Sequence, residues 1–354
     1  MRAVSSGSVG NSAGAVGAGL PRDNSGHEAP PTCKLTQYRA GLVLLSLILA
    51  PLAWGAAPPG TLRVAAVSSK CVPGEVEANL ESHVRWTERA VAQGARFVGF
   101  PECSITGYDF SAGAGIGLDG AEVRAIVELA KKRAIYLAAG LVERREGRRF
   151  NTQVLAGPKG LLGVMRKVNL TRTERPFFTA GAEFPVFDLD GVKVAIAICA
   201  DATQFETVHL LALRGAQMIF VPHATFLQGT PQSWFEWRTD RWGWFAKDCG
   251  VFLVGCNNAG RFETARSGEI DLRFASGALV TGPDGTVVRR SEPATNTETM
   301  ILVDISTAGL DERRAELPAF SSFAKERFFG ELVRDPPHPI TPAPPRGTAA
   351  SITS

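Results

Sequence analysis

Three side chains that could carry acyl-transfer chemistry each follow an apolar stretch of the chain. Cys199 ends the run 192–198, Glu102 follows the run 97–100 after one proline, and Lys167 ends a third apolar run. A thiol can attack a carbonyl carbon, a carboxylate can take the thiol proton, and a fixed cation can stabilise the oxyanion that forms. The three residue types therefore make a candidate nucleophile, general base and oxyanion stabiliser.

The expected environments suit these roles. A helix is predicted shortly after Cys199, and the dipole at a helix N-terminus favours a thiolate. Burial of Glu102 would raise its pKa, as a general base requires. Each residue also has an ordinary structural explanation, because cysteines end many core strands, glutamates occur in solvated turns and lysines line strand edges. Taken singly, none of the three establishes an active site.

The elements that must position these residues alternate between strands and helices. Strands are predicted at 62–67, 97–100, 135–142, 151–156, 163–168, 192–198, 218–222 and 251–256, with a hairpin of 274–280 and 286–290. Helices are predicted at 75–93, 121–133, 205–214 and 232–249. This alternation indicates an α/β layered domain, in which reactive groups gather at the carboxyl ends of strands.

The two ends of the chain differ from the middle. Residues 1–31 are rich in Gly, Ser, Ala and Pro and are predicted to be a flexible tail. Lys34 and Arg39 precede a short apolar run that exits through small residues, so a signal peptide is predicted around 34–57. We therefore expect a periplasmic or extracellular protein, with an uncleaved, membrane-anchored form as the alternative. A catalytic domain is predicted at 61–332 and a Pro-rich disordered tail at 333–354.

Composition excludes some partners. The chain has 38 Lys and Arg against 35 Asp and Glu, and a net charge of +3 is too small for a surface that tracks nucleic acid. Its six cysteines form no C-x-x-C pair and lack zinc-ligand spacing, so no metal site is predicted. Loss of the signal would remove Cys33 and leave five, an odd number that requires at least one unpaired thiol. The pairing of the other cysteines stays open.

Three short motifs, in their order along the chain, resemble those of the nitrilase or carbon–nitrogen hydrolase superfamily. They are Pro101-Glu102 followed by Gly107-Tyr108, Arg166-Lys167-x-x-Leu170, and Cys199-x-Asp201. The resemblance covers about residues 61–303. It implies a four-layer α-β-β-α sandwich whose active site uses Glu102, Lys167 and Cys199.

The resemblance also implies what each residue does. Glu102 would take the thiol proton of Cys199 and later activate water, while Lys167 and the backbone N–H of Ala200 would stabilise the tetrahedral intermediate. Glu174 lies where many members carry a second glutamate that orients the lysine or the substrate. No cofactor or metal ion is implied.

Two further residues are predicted to support the substrate or the oxyanion. Tyr108 belongs to the Gly-Tyr motif, and His223 would lie on the same rim as Cys199 if the sheet order follows the family. The alternative for His223 is that it merely satisfies local backbone groups. The tryptophan-rich segment 226–245 is interpreted as a helix packed into the core or a subunit contact, with a substrate cage as the alternative.

The residues after the nucleophile indicate the subclass. True nitrilases usually continue with Trp-Glu, whereas here Ala200 and Asp201 follow Cys199, as in the amidase and carbamoylase branches. A small-molecule amide or ureido substrate is therefore preferred over a nitrile. The alternative is an N-acyltransferase that passes the acyl group of the thioester to an amine. A non-catalytic binding module is disfavoured, because Glu102, Lys167 and Cys199 are all present. Members commonly form homodimers or larger homo-oligomers, which we also expect here.

Overall fold

The computed structural model describes residues 60–111, 113–263 and 271–320. Within these ranges the strands are β1 (Thr61–Ser68), β2 (Phe97–Gly99), β3 (Tyr136–Arg145), β4 (Arg148–Gly157), β5 (Gly160–Arg166), β6 (Val186–Leu189), β7 (Val192–Ile196), β8 (Met218–His223), β9 (Phe252–Asn257), β10 (Arg261–Glu263), β11 (Asp271–Arg273), β12 (Ala275–Ser276), β13 (Ala278–Thr281), β14 (Val287–Arg290), β15 (Ala294–Thr295) and β16 (Thr299–Ser306). The helices are α1 (Val76–Val91), α2 (Ala121–Arg133), α3 (Phe205–Leu213), α4 (Pro231–Cys249) and α5 (Leu310–Ala315), with short 3₁₀ helices at Cys199–Thr203 and Pro318–Phe320.

Two six-stranded sheets with the same pattern of directions form the centre of the fold. Sheet I has the order β16-β1-β2-β3-β4-β5, and Sheet II has the order β14-β13-β9-β8-β7-β6. The three parallel strands are β1, β2 and β3 in Sheet I. In Sheet II they are β7, β8 and β9. The outer strands of both sheets are antiparallel to their neighbours. The carboxyl ends of three parallel strands therefore meet at one edge of each sheet.

The alternation of side chains along each strand builds the layers. Val64 and Ala66 of β1 pack between the sheets in one apolar cluster with Phe220 of β8. The intervening Ala65 and Val67 join a second cluster with α1 and α2. Alternate residues of Sheet II pack in the same way against α3 and α4. Because successive strand residues face opposite sides, this pattern gives the order helix, sheet, sheet, helix and confirms the four-layer α-β-β-α sandwich.

Helix α4 covers Sheet II and carries most of the tryptophan-rich segment. Thr230 caps its N-terminus by accepting a hydrogen bond from the backbone of Ser233, Pro231 is its first residue, and Gly250 ends it in a left-handed conformation. Its buried aromatic side chains join the cluster that packs on Sheet II, and they are Trp234, Phe235, Trp242 and Phe245. For these four residues the packing confirms that the tryptophan-rich segment is a helix packed into the core. Trp237 and Trp244 of the same helix are exposed.

The sequence prediction differs from the structure mainly in the strands. It omitted β6 and the edge strand β16, which pairs with β1 along its whole length. The strand predicted at 192–198 ends at Ile196, and the one predicted at 274–280 is divided by Gly277. An added Cβ at Gly277 would lie 2.6 Å from the ring of Phe235, so the sheet approaches helix α4 there at a distance that only glycine allows.

Several predictions fall on other parts of the chain. The tail and signal peptide at 1–57, the tail at 333–354 and the domain boundary at 332 lie outside the described residues. Within the described ranges, none of the helices combines the length and apolar character needed to span a bilayer. In the same ranges the cysteines are free thiols, and they are Cys71, Cys103, Cys199, Cys249 and Cys256.

Candidate active site

The three motif residues come from strand ends in both sheets. Glu102 lies three residues after β2 and Lys167 directly after β5, both in Sheet I, whereas Cys199 lies three residues after β7 in Sheet II. The backbone N–H of Ala224, just after β8, donates a 2.7 Å hydrogen bond to Oε2 of Glu102. The site therefore lies where the carboxyl ends of strands from the two sheets meet.

Lys167 is held between two carboxylates. Its Nζ lies 2.7 Å from Oε1 of Glu102 and 2.8 Å from Oε1 of Glu174. Asn151 donates through Nδ2 to the same two oxygens, at 2.7 and 3.0 Å. All four side chains are buried. Because a buried charge is tolerated only when it is paired and hydrogen-bonded, this arrangement fixes the ammonium group in one position.

The two glutamates have different electrostatic environments. Burial raises the pKa of Glu102 by more than the nearby Lys167 lowers it. Burial also acts to raise the pKa of Glu174, but Lys167 and two hydrogen bonds from Thr171 outweigh it and lower that pKa. When the pKa values of two neighbouring carboxyl groups differ in this way, the group with the raised pKa can act as a base and the other remains a fixed negative charge. Glu102 is the one suited to accept a proton, and Glu174 stays ionised.

Lys167 remains a cation. Burial by itself would lower its pKa, but Glu102, Cys199 and Glu174 outweigh burial and hold the pKa well above the usual value. The side chain can therefore supply a fixed positive charge to a developing oxyanion at any moderate pH.

Cys199 has a backbone conformation that non-glycine residues rarely adopt. Its φ is 49°, in the left-handed region, at the turn that begins the 3₁₀ helix Cys199–Thr203. Asp201 stabilises this turn, since its carboxylate accepts hydrogen bonds from the backbone of Ile198 at 3.1 Å and of Asn169 at 2.7 Å. Asn169 lies two residues after Lys167, so one carboxylate connects the turn at Cys199 to the segment that follows Lys167.

The thiol of Cys199 is neutral in the resting protein. Burial, followed by the charge of Glu102, raises its pKa to about 12. The helix whose N-terminus was expected to favour a thiolate does not begin at this residue, because α3 begins only at Phe205 and the nearer helix is a short 3₁₀ turn. A neutral thiol needs a base at the moment of attack.

The other predicted residues lie around this centre. Ala200 is partly buried and lines a cavity of about 410 Å³ together with Asn169 and Arg175. Tyr108 is buried, and its ring packs edge-on against Phe110 at 4.8 Å between centroids. Burial and the charge of Glu102 raise the pKa of Tyr108 well above its usual value, so its hydroxyl group stays neutral.

The side chain of Thr225 lies between His223 and the thiol of Cys199. His223 is buried, stacks on Trp242 with 5.6 Å between ring centroids, and places Nδ1 3.3 Å from Oγ1 of Thr225. That hydroxyl oxygen in turn lies 3.7 Å from Sγ of Cys199. Burial and the positive charge of Arg238 lower the pKa of His223 well below its usual value, so the ring is neutral.

Sequence reasoning missed three polar residues at this centre: Asn151, Thr225 and Arg238. Asn151 starts an apolar stretch, and Thr225 follows a buried strand by two residues, which are weak signals in a single sequence. Arg238 was the stronger signal, since an arginine on the buried face of an aromatic helix needs a reason to be there. Among the described residues, no group of three metal-binding side chains is found.

The fold and this constellation define a class of protein, and comparison with known families agrees. Residues 63–315 match the family model described as carbon–nitrogen hydrolase. The chain belongs to the carbon–nitrogen hydrolase family, and its relatives place it in the amidase-like part of the nitrilase superfamily.

Three relatives illustrate the similarity. A nitrilase of Pyrococcus abyssi is 31% identical over 166 residues, which is 45% of this chain and 63% of that protein, less than two thirds of its length. An omega-amidase of Bos taurus is 28% identical over 245 residues, covering 66% of this chain and 84% of that protein. The crystal structure of a mutant amidase of Nesterenkonia, from the nitrilase superfamily, has a TM-score of 0.61 and 26% identity, covering 74% of this chain and 98% of its own.

Proposed function

We propose that this chain hydrolyses the carbon–nitrogen bond of a small non-peptide amide or ureido compound through a thioester on Cys199. The observation that carries the proposal is the pair of short hydrogen bonds by which Glu102 and Glu174 hold Lys167. This buried group of charges provides the base and the fixed cation that a neutral thiol needs.

The proposed reaction has two halves. In the first, Glu102 takes the proton of Cys199 as Sγ bonds to the carbonyl carbon, and the oxyanion is stabilised by Lys167 and the backbone N–H of Ala200. The C–N bond then breaks, and protonated Glu102 returns its proton to the leaving nitrogen. In the second half, Glu102 removes a proton from water as its oxygen bonds to the thioester carbon. The C–S bond then breaks, and protonated Glu102 returns its proton to Sγ, which regenerates the thiol of Cys199 and releases the acid.

The similar proteins support an amide substrate. In a variant of the Nesterenkonia amidase, the acetamide moiety of fluoroacetamide is covalently added at the active-site cysteine. Another mutant of that amidase is in complex with butyramide. For this chain, Asp201 rather than glutamate two residues after Cys199 argues in the same direction.

The test is a screen for ammonia release from primary amides, ureido acids and nitriles. We expect turnover of an amide or ureido compound, and loss of that turnover in Cys199→Ala with the thermal unfolding temperature little changed. Cys249→Ala is the matched control, because Cys249 is a buried free thiol at the end of α4 and should keep full activity. Unchanged turnover in Cys199→Ala would refute the proposal.

Product analysis separates the alternatives. Turnover restricted to nitriles would indicate a nitrilase. If added primary amines divert most of the product from the free acid to a new amide, the enzyme is an acyltransferase. We expect the free acid to remain the main product.

Export is a separate proposal that rests on residues 34–57 alone. N-terminal sequencing of the protein recovered from the periplasm or medium should begin shortly after residue 57. Recovery of the whole protein from the cytoplasm would contradict it.

A further inference from the structure

Arg238 is a buried cation whose hydrogen-bond partners in the described part of the chain are all neutral. It donates to the backbone oxygen of Trp234 at 3.1 Å and to Oγ1 of Thr225 at 2.9 Å, and lies 3.4 to 3.5 Å from the ring nitrogens of His223. Its guanidinium carbon lies 4.1 Å from the ring centroid of Trp234. Burial lowers the pKa of Arg238 to about 9, so the group is still charged at neutral pH. A buried cation without an anionic partner is costly and needs an explanation.

Thr225 connects this cation to the nucleophile. Its Oγ1 accepts from Nη2 of Arg238 and lies 3.7 Å from Sγ of Cys199. The backbone of Thr225 is held on both sides by Asn257, which accepts from its N–H at 2.8 Å and donates to its carbonyl oxygen at 3.0 Å. The hydroxyl group is therefore fixed beside the sulfur by bonds that do not involve the thiol.

The acceptor open to the hydroxyl hydrogen of Thr225 depends on the tautomer of His223. If Nδ1 carries the ring proton, it faces Oγ1 as a second donor, and the hydroxyl cannot donate back to it. Sγ is then the acceptor left for the Thr225 hydroxyl. If Nδ1 is unprotonated, Nη2 of Arg238 at 3.4 Å and the Thr225 hydroxyl at 3.3 Å compete for its lone pair, and the charged donor leaves the hydroxyl free to donate to Sγ.

Arg238 adds a second cation to the charges around the thiol. Lys167 is shared by two carboxylates, Glu102 and Glu174, which leaves one negative charge in excess. Asp201, a third buried carboxyl group, accepts from the backbone of Ile198 next to the thiol, so a second cation there reduces the excess of negative charge. When a proton moves from Cys199 to Glu102, the S–H bond breaks, an O–H bond forms, and the negative charge moves from the carboxylate next to Lys167 to the sulfur.

We propose that Thr225 is a further catalytic residue that stabilises the Cys199 thiolate by a hydrogen bond, and that Arg238 is a positioning residue that orients and polarises the Thr225 hydroxyl. We call this arrangement of Arg238, Thr225 and Cys199 the relay. It deepens the proposed function and rests on Cys199 being the nucleophile of that function. The other charged or titratable groups that face the sulfur are Glu102, Glu174, Lys167 and Tyr108.

The experiment measures alkylation of Cys199 by iodoacetamide as a function of pH, located by peptide mass mapping. Thr225→Val removes the hydroxyl group and keeps the shape, and should raise the thiol pKa by about one unit and slow alkylation at neutral pH about threefold to tenfold. Thr225→Ser keeps the hydroxyl group and should restore the wild-type rate. The same order of rates is expected in kcat, with little change in KM.

Arg238 is tested by a second pair of variants. Arg238→Met removes the charge and should slow alkylation as Thr225→Val does, whereas Arg238→Lys should recover part of the rate. Thr87→Val and Arg241→Met are the matched controls. Thr87 is buried with no hydrogen-bond partner for Oγ1 among the described residues, and Arg241 lies over Trp237 on the exposed side of α4.

The outcomes separate the relay from the proposed function. Wild-type alkylation kinetics in folded Thr225→Val would overturn the relay and leave the hydrolase proposal intact. If Thr225→Val does not fold, equal alkylation rates in Arg238→Met and Arg238→Lys overturn it instead. Absence of selective Cys199 labelling and of amide turnover in the wild-type protein would refute the proposed function itself.

Discussion

The backbone N–H of Ala224 donates a 2.7 Å hydrogen bond to Oε2 of Glu102, the carboxylate whose other oxygen is bonded to Lys167. Ala224 follows a strand of Sheet II, whereas Glu102 and Lys167 follow strands of Sheet I. The position of the proposed base thus depends on both sheets. Changes that disturb either sheet end should affect the chemistry.

Glu102→Gln should lower kcat by about 10²- to 10⁴-fold, because the amide cannot accept the thiol proton. The side chain keeps its size, so the thermal unfolding temperature should change far less than activity does. Glu128→Gln, an exposed glutamate of α2, is the control and should be fully active. Activity within threefold of wild type in Glu102→Gln would exclude it as the base.

The pH dependence of kcat/KM should show an acidic limb set by Glu102. The base must be ionised to work, and burial raises its pKa above the usual value of 4.5. Activity should therefore fall as pH decreases through that raised pKa, at a pH above about 4.5. Lys167 stays charged over this range and adds no limb. A profile that is flat down to about pH 4 would contradict this assignment.

Gly140→Ala should damage the site without touching a reactive residue. An added Cβ would collide with the backbone nitrogen of Cys103 and lie 2.9 Å from the carbonyl oxygen of Pro101, the two neighbours of Glu102. We expect a loss of about 1–3 kcal/mol in the free energy of unfolding. Displacement of the base should also lower kcat at least about tenfold.

The control is Gly113→Ala, since no described atom lies within 4 Å of the added carbon. Urea denaturation and steady-state kinetics measure both effects. Full activity in Gly140→Ala would show that the Glu102 turn can shift without consequence.

Acid should destabilise the fold partly through His83. This buried ring lies 2.7 Å from the carbonyl oxygen of Asn79 and 2.9 Å from Oγ of Ser104, and burial lowers its pKa to about 4. A group whose pKa is depressed in the folded state stabilises the fold above its unfolded pKa of about 6.5. That contribution, on the order of 3 kcal/mol, should be lost as pH falls from about 6.5 to about 4.

Urea denaturation across this pH range gives the measurement. His83→Gln should have a smaller loss of stability on acidification than the wild-type protein. If the free energy of unfolding falls equally steeply with decreasing pH in His83→Gln and in the wild-type protein, other groups cause the acid sensitivity.

Strands and helices with a strong pattern were predicted closely. Helix α2 coincides with its prediction, α3, α4 and β8 differ from theirs by one residue at one end, and β1 differs by one residue at each end. The edge strand β6 was missed because it is short and mostly half-buried, so its sequence lacks a clear alternation. Strand β16 does alternate, with Ile301, Val303 and Ile305 buried, and could have been predicted.

By itself the sequence determined the class of fold and predicted Glu102, Lys167, Glu174 and Cys199 as site residues, because local patterns and short motifs carry that information along the chain. Tertiary structure decided how they act together. The bonds from Lys167 to Glu102 and Glu174 span 65 and 7 residues, and the segment around Thr225 comes from another sheet. The neutral thiol of Cys199 and the buried charge of Arg238 depend on burial, which results from the packing of both sheets and helix α4. Burial sets the pKa of a group through its distance from water and other charges, and those distances exist only in the folded chain.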